Sequence, residues 1–383
     1  MDINFIQSVD LLLIYLAMFL VLLIIAKPLK SLNNIRTISE NVTNTEKIVF
    51  FIFYALCLIF AFDSNDFYSY AEAFYIQRQY VNVEYMGWES IFNWFANITN
   101  NYVLWRATIW GLAVLITYWT AAILKLNNRG FLLSVALFGF GLDVYTRGII
   151  GHTMLVLGAV LFMDKKSNTL TKIVGLAIVC VSYYFHKSMY VNIIFAVLAL
   201  FPFGKKTVVL SLIAFPFLTT IATYLINGIV SGELELALGE GVGGVGDRTK
   251  GYASQERMQS NLLGIIGKIV KLTPEYLTLF YLYYKVIVQK IFSKEKRERV
   301  YTYLFRLKYV AFYIASLFYF VETSSWIYER FKYMGFFPLV FVLGAVWNKE
   351  KYSSKWLKLI ILLQLFWVFF RLFVTFLDYL EKS

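Results

Sequence analysis

Apolar runs near 9–26, 47–62, 105–124, 131–143, 147–163, 170–185, 188–203, 207–227, 273–291, 308–321, 332–347 and 357–376 divide the 383 residues, with polar positions gathered between them. A hydrocarbon core about 30 Å thick asks for roughly 17–25 apolar residues in a helix, and a helix satisfies its own backbone where water is absent. The runs therefore predict an all-α, polytopic integral membrane protein with about twelve transmembrane helices, forming a single transmembrane domain over 1–383. Two runs, 131–143 and 188–203, are short for a span. Short spans point to broken helices, or to helices entering a water-filled recess.

Composition closes off the soluble classes. With 59% hydrophobic and 16% charged residues and a mean hydropathy of +0.63, a water-soluble fold would be coated in apolar surface. Charge then orients the spans. Most of the 36 Lys and Arg fall in every second connection: Lys27, Lys30, Arg36 and Lys47, then Lys125 and Arg129, then Lys165, Lys166 and Lys172, then Lys205 and Lys206. Lys285, Lys290, Lys294, Lys296, Arg297, Arg299, Arg306 and Lys308 follow, and last Lys349, Lys351, Lys355 and Lys358. By the positive-inside rule these connections are cytoplasmic, which puts both termini outside. The net charge of +12 thus reads as a topology signal, and cations scattered over six turns make no footprint for nucleic acid.

Met1 to Asp10 has no positive n-region and no small-residue cleavage site follows, so the first run is expected to be a true span. Cys57 and Cys180 sit in apolar runs and are expected to act as small hydrophobes rather than a disulfide; two Cys and two His predict no metal site. Asn41-Val-Thr43 and Asn97-Ile-Thr99 match the glycosylation pattern, but the first falls inside and neither is given a function.

Two external connections are long, about 63–104 and 228–272. The first is rich in rings and carboxylates, among them Asp63, Asp66, Tyr68, Tyr70, Glu72, Glu84, Trp88, Glu89 and Trp94. Trp88, Ile91, Phe92, Phe95 and Ile98 recur at helical spacing, which predicts a short amphipathic helix on the outer leaflet. The second holds a glycine run from Gly239 to Gly246, followed by Arg248, Lys250 and Arg257. No strand precedes those glycines, so a dinucleotide fingerprint does not apply; a lid over an external cavity and a plain flexible loop both fit.

The candidate chemistry lies near the outer ends of the spans. Arg147 stands in Asp143-Val-Tyr-Thr-Arg147 between two apolar runs, where a guanidinium is costly unless it serves a purpose. Its fork suits a phosphate, against which stand a salt bridge to Asp143 and snorkelling to the interface. His186 closes one run and precedes the next; it is either an interface residue or a proton acceptor for a hydroxyl. His152, five residues beyond Arg147, lies more than a turn deeper and reads as a buried, hydrogen-bonded core residue. Glu329 and Arg330 form a surface pair or contribute to the same face. Arg147, His186 and Arg330, with Asp66, Glu84 and Glu89, would combine anion binders, a base and carboxylates beside aromatic platforms. That mixture suits a sugar linked to a lipid diphosphate.

At these residues the chain resembles the EpsG-like group of Wzy-type bacterial polysaccharide polymerases. The resemblance is carried by Asp66-Phe-Tyr-Ser-Tyr70, Glu84-Tyr-Met-Gly87-Trp88, Tyr145-Thr-Arg147, Phe185-His186-Lys187-Ser188 and Glu329-Arg330-Phe-Lys-Tyr333, in order along nearly the whole chain. It implies a membrane glycosyltransferase that joins repeat units carried on undecaprenyl diphosphate, at the outer face of the bacterial cytoplasmic membrane. Arg147, His186, Arg330, Glu84 and Asp66 are then the expected catalytic residues, and Tyr70, Trp88, Glu89, Arg248, Arg257 and Tyr333 the expected substrate contacts. No cofactor is expected, because the donor is already activated and arginines can stand in for a metal ion. The expected partners are the lipid-linked oligosaccharide and the bilayer, with a flippase and a chain-length regulator as further candidates. Two other readings stand beside it: a flippase or transporter of lipid-linked oligosaccharide, since twelve spans are common among carriers, and an O-antigen ligase or membrane acyltransferase, which shares the external site. A major-facilitator carrier would place both termini inside and show two similar halves, whereas this chain shows the opposite charge pattern and no internal repeat.

Overall fold

The computed structural model describes residues 42–59, 101–126, 129–139, 148–186, 189–231, 262–293, 295–319 and 325–350, with isolated positions between 71 and 99 and between 355 and 366. Every element among them is helical: α1 (Asn44–Ile59), α2 (Tyr102–Leu124), α3 (Arg129–Gly139), α4 (Ile149–Met163), α5 (Thr169–Ser182), α6 (Met189–Leu198), α7 (Lys205–Ser231), α8 (Leu262–Tyr283), α9 (Glu298–Tyr319) and α10 (Ser325–Lys349). Each overlies one of the apolar runs from the second to the eleventh. The first run and the amphipathic segment 88–98 lie outside the described residues. Among the described residues, three helices are long and apolar enough to cross a membrane: Tyr102–Leu124, Lys205–Leu225 within α7, and Phe331–Lys349 within α10.

The helix starts follow from local chemistry. Thr43 and Glu46 form a reciprocal capping box, Thr43 N donating to Glu46 Oε2 at 2.8 Å and Glu46 N to Thr43 Oγ1 at 3.2 Å. Asn101 and Asn168 cap α2 and α5, accepting from Leu104 N at 3.2 Å and Thr171 N at 2.7 Å. Lys125, at φ 58°, closes α2 with a left-handed residue.

Burial sorts the helices into centre and shell. The apolar window of α10 is 78% buried, whereas that of α7 is 11% buried and turns Ile213, Phe217 and Tyr224 outward. A helix apolar on all sides belongs in a core or against lipid, and these two show both cases. Between α4 and α5 the backbones touch: a Cβ on Gly158 would lie 2.5 Å from Gly175 O, and one on Gly175 would lie 2.7 Å from Gly158 O. Small residues permit this approach where no hydrophobic force drives helices together. Likewise Phe131 of α3 stacks on Phe341 at 5.5 Å and lies over Gly344 of α10.

One end of the bundle is marked by polar pairs. Arg297 meets Asp164 at 3.3 Å, Tyr301 donates to Leu124 O at 3.2 Å, and Glu350 takes both Tyr281 and Lys285. Because α4 and α10 end there while α9 begins there, the starts of α4, α6 and α10 and the finish of α9 gather at the opposite end. That opposite end carries His186.

The structure corrects three boundaries. Within the expected loop 63–104, Ala71 and Phe74 are helical and buried, Phe74 packing on Tyr102 and Trp105 at 5.8 Å. The expected loop 228–272 is trimmed on both sides, by α7 running to Ser231 and α8 starting at Leu262. Arg306 and Lys308, expected in a cytoplasmic connection, lie inside α9, where Lys308 is 1% exposed. Lys308 falls on the buried stripe Tyr301, Leu304, Phe305, Lys308, Phe312 and Ala315, so helical packing overrides its charge.

Candidate functional site

At the His186 end, α5 tightens into the 3-10 turn Tyr183–Phe185 and His186 follows in extended conformation. The His186 carbonyl accepts from Met189 N at 2.9 Å, which starts α6. His186 itself is 6% exposed, and Met189 is fully buried against α4. Gly151 makes that approach possible, since a Cβ there would stand 2.9 Å from Met189 Cγ and Sδ. The next residue of α4, His152, links the two helices. Its Nδ1 lies 3.0 Å from Gly148 O and its Nε2 lies 3.1 Å from Asn192 Nδ2, so Nδ1 carries the proton and Nε2 accepts. Both ring nitrogens are thereby engaged, as expected of a core histidine. Its role is to tie the short helix α6 to α4 just below His186.

The second turn of α10 meets α6 farther along its length. Phe331 stands edge-on to Phe195 of α6, with centroids 5.3 Å apart, and also meets Phe318 of α9 at 5.9 Å. The helical turn that bears Arg330 thus joins α6, the helix that follows His186; the Arg330 side chain lies outside the described residues. Tyr333 packs, partly buried, against the core. Arg147, Asp66, Glu84, Tyr70, Trp88, Glu89, Arg248 and Arg257 fall outside the described residues, although Gly148, next to Arg147, caps α4.

A second charged group, absent from the sequence-based set, lies where α8, α9 and α10 meet. Glu275 accepts from Lys308 at 3.5 Å through one carboxylate oxygen and from Lys332 at 3.3 Å through the other. Tyr276 packs its ring against Phe312 at 5.0 Å beside it.

Compared with protein families, residues 46–382 match the model of the EpsG family. The chain belongs to the EpsG family. Comparison with curated proteins and with solved structures finds no significant match. As an EpsG-family member it is a membrane protein, helical throughout its described residues, with a function of the polysaccharide-polymerase type, akin to a glycosyltransferase and of a kind that acts on lipid-linked sugars. The matched region takes in α1 from Glu46 onward, all of α2 to α10, and both charged groups.

Two buried polar groups in this EpsG-family chain serve the fold. Arg106, wholly buried, donates from Nε and Nη2 to Leu58 O at 3.3 and 3.0 Å, joining α2 to α1. Asp164 binds Lys166 N at 3.0 Å and pairs with Arg297, fixing the turn after α4. Neither Arg106 nor Glu275 stands out in a sequence scan for exposed polar motifs. An acid placed directly after Pro274 in an otherwise apolar run, and a lysine on the apolar stripe of α9, are the signals that mark the seam.

Proposed function

We propose that this protein joins oligosaccharide repeat units carried on undecaprenyl diphosphate, at the outer face of the bacterial cytoplasmic membrane. In this reading the chain crosses the bilayer twelve times with both termini outside, and its His186 end faces outward. The observation that carries the reading is the EpsG-family match over residues 46–382. The fold is consistent with it: the break between α5 and α6 buries His186, and Phe331, next to Arg330, packs on Phe195 of α6.

The reaction needs a leaving group, an acceptor and a base. Arg147 and Arg330 hold the donor's diphosphate by their guanidinium forks and stabilise the charge that grows on it. A hydroxyl oxygen of the acceptor sugar bonds to the donor's anomeric carbon while the carbon–oxygen bond to the diphosphate breaks. The electron pair leaves with the lipid diphosphate, and the hydroxyl proton passes to His186 or to one of Glu84 and Asp66. Tyr70, Trp88 and Tyr333 offer rings for sugar stacking, while Glu89, Arg248 and Arg257 line the approach. A flippase supplies the substrate, and a chain-length regulator sets the product size.

The test is genetic. Deleting the gene in its own host should remove long surface polysaccharide while single exported repeat units persist, with wild type restoring the ladder and Arg147→Ala, His186→Ala and Arg330→Ala failing to do so. Loss of every exported repeat unit would mean transport instead.

A further inference from the structure

His186 sits in a break between two helices, and one turn of α4 grips both flanks of that break. A Cβ on Gly151 would stand 3.1 Å from the carbonyl oxygen of Ser182, the last residue of α5, and 2.9 Å from Cγ and Sδ of Met189, the first residue of α6. Ser182 and Met189 are both fully buried. At His152, one position on, Nε2 lies 3.1 Å from Asn192 Nδ2, and the same amide nitrogen lies 3.4 Å from Met189 Sδ. Met189 N in turn donates to the His186 carbonyl at 2.9 Å. A chain of contacts therefore runs from α4 through Asn192 and Met189 to the backbone of His186.

The polar pair within this chain has a fixed direction. Gly148 O can only accept, so His152 Nδ1, 3.0 Å away, carries the proton and Nε2 is the acceptor. Asn192 must then turn its NH2 group to His152, and its Oδ1 is buried with no hydrogen-bond partner among the described residues. An oxygen buried in this way costs stability, whereas Leu has the same branched shape and no such cost. Stability alone does not account for the amide. Orientation does, because a buried hydrogen bond selects one packing arrangement of α6 on α4. A base needs that precision: it has to be held within about 0.5 Å of its working position, and a misplacement of about 1 Å can cost about a hundredfold in rate.

We infer that His152 and Asn192 are positioning residues for the proposed reaction. Their hydrogen bond sets α6 on α4 and so holds the His186 turn where its imidazole meets the acceptor hydroxyl. Neither residue touches substrate, and Gly151 provides the close helix contact that the bond requires. The inference rests on the proposed function, with His186 as the proton acceptor.

The chain has two histidines, so protein labelled with heavy-nitrogen histidine reports each ring separately, and His152→Gln assigns the spectrum by removing one. The full-length protein in liposomes is observed by solid-state NMR and assayed for joining of undecaprenyl-diphosphate-linked repeat units prepared from its own host. Asn192→Leu should insert as wild type does, move or broaden the His186 ring signal, and lower kcat at least about tenfold with KM within about twofold. His152→Leu should do the same. His152→Gln, whose side-chain oxygen can take the place of Nε2 opposite Asn192, should keep most of the rate. If the variants lower only the amount of folded protein and leave kcat per folded molecule unchanged, the pair is merely structural and the inference is overturned. Should Asn192→Leu fail to insert, Gly151→Ala carries the test, since it presses on Ser182 O and Met189 together and should give the same change in signal and kcat. An unmoved His186 signal and a wild-type kcat in these variants, with His186→Ala inactive, would overturn the inference and leave the polymerase reading standing. Full polymer from His186→Ala would overturn it together with the assignment of His186 as the base.

Discussion

At the scale of single residues, the strongest consequences come from charges that have been taken out of water. Glu275→Ala leaves Lys308 buried without its carboxylate, and breaking such a pair costs about 3–5 kcal/mol. Lys308→Met made in the Glu275→Ala background should return a large part of that loss, and thermal unfolding of the four proteins of this cycle in detergent measures it. If the double variant is no more stable than Glu275→Ala alone, the Lys308 charge is not the source of the penalty. A different outcome is expected at Arg330, where the geometry of the fork matters more than the charge. Arg330→Lys should cut polymer formation at least about tenfold at an unchanged protein level, since a hydrogen bond to a charged group is worth about 1.5–3 kcal/mol. Polymer at the wild-type level from that variant would rule out bidentate binding there.

Elements were legible where apolar runs were long, and less so at their ends. The run expected at 308–321 becomes α9 starting at Glu298, and the run expected at 273–291 becomes α8 starting at Leu262. α9 extends into polar sequence because Tyr301 and Tyr303 bury their rings and donate to carbonyls of α2 and α6. A hydropathy threshold cuts such a helix at its first cluster of lysines. Glu275 and Lys308 were hidden for another reason: they lie 33 positions apart, and only the packing of α8 on α9 makes them a pair. The α4–α5 contact was equally silent, since a glycine on each helix has meaning only when the two face one another. Gly158→Leu must push against Gly175 O and Val179 N, both backbone atoms, so the helices have to separate. That variant should insert poorly or unfold well below wild type by thermal-shift measurement, whereas Gly111→Leu, where a Cβ meets nothing within 4 Å, should match wild type closely. Equal stability of the two variants would mean that the close contact does not hold α5.

For the whole molecule, composition and run spacing were enough to predict an all-helical membrane protein, and the motifs carried the EpsG resemblance that the family match over 46–382 bears out. The candidate site was legible as a list of residue types rather than as a place. His186 is buried at the break between α5 and α6, and Phe331, beside Arg330, reaches α6 at Phe195, a crossing that no local pattern encodes; apart from Tyr333, the other named residues lie outside the described structure. The central claim is that this assembly lengthens a lipid-linked glycan. Its most direct measurement is the reaction of the full-length protein, reconstituted in liposomes, with undecaprenyl-diphosphate-linked repeat units prepared from its own host. A ladder of products one repeat unit apart, with one undecaprenyl diphosphate released per bond formed and loss of both in His186→Ala and Arg330→Ala, is the predicted result. Repeat units that cross the liposome membrane without being joined would contradict it.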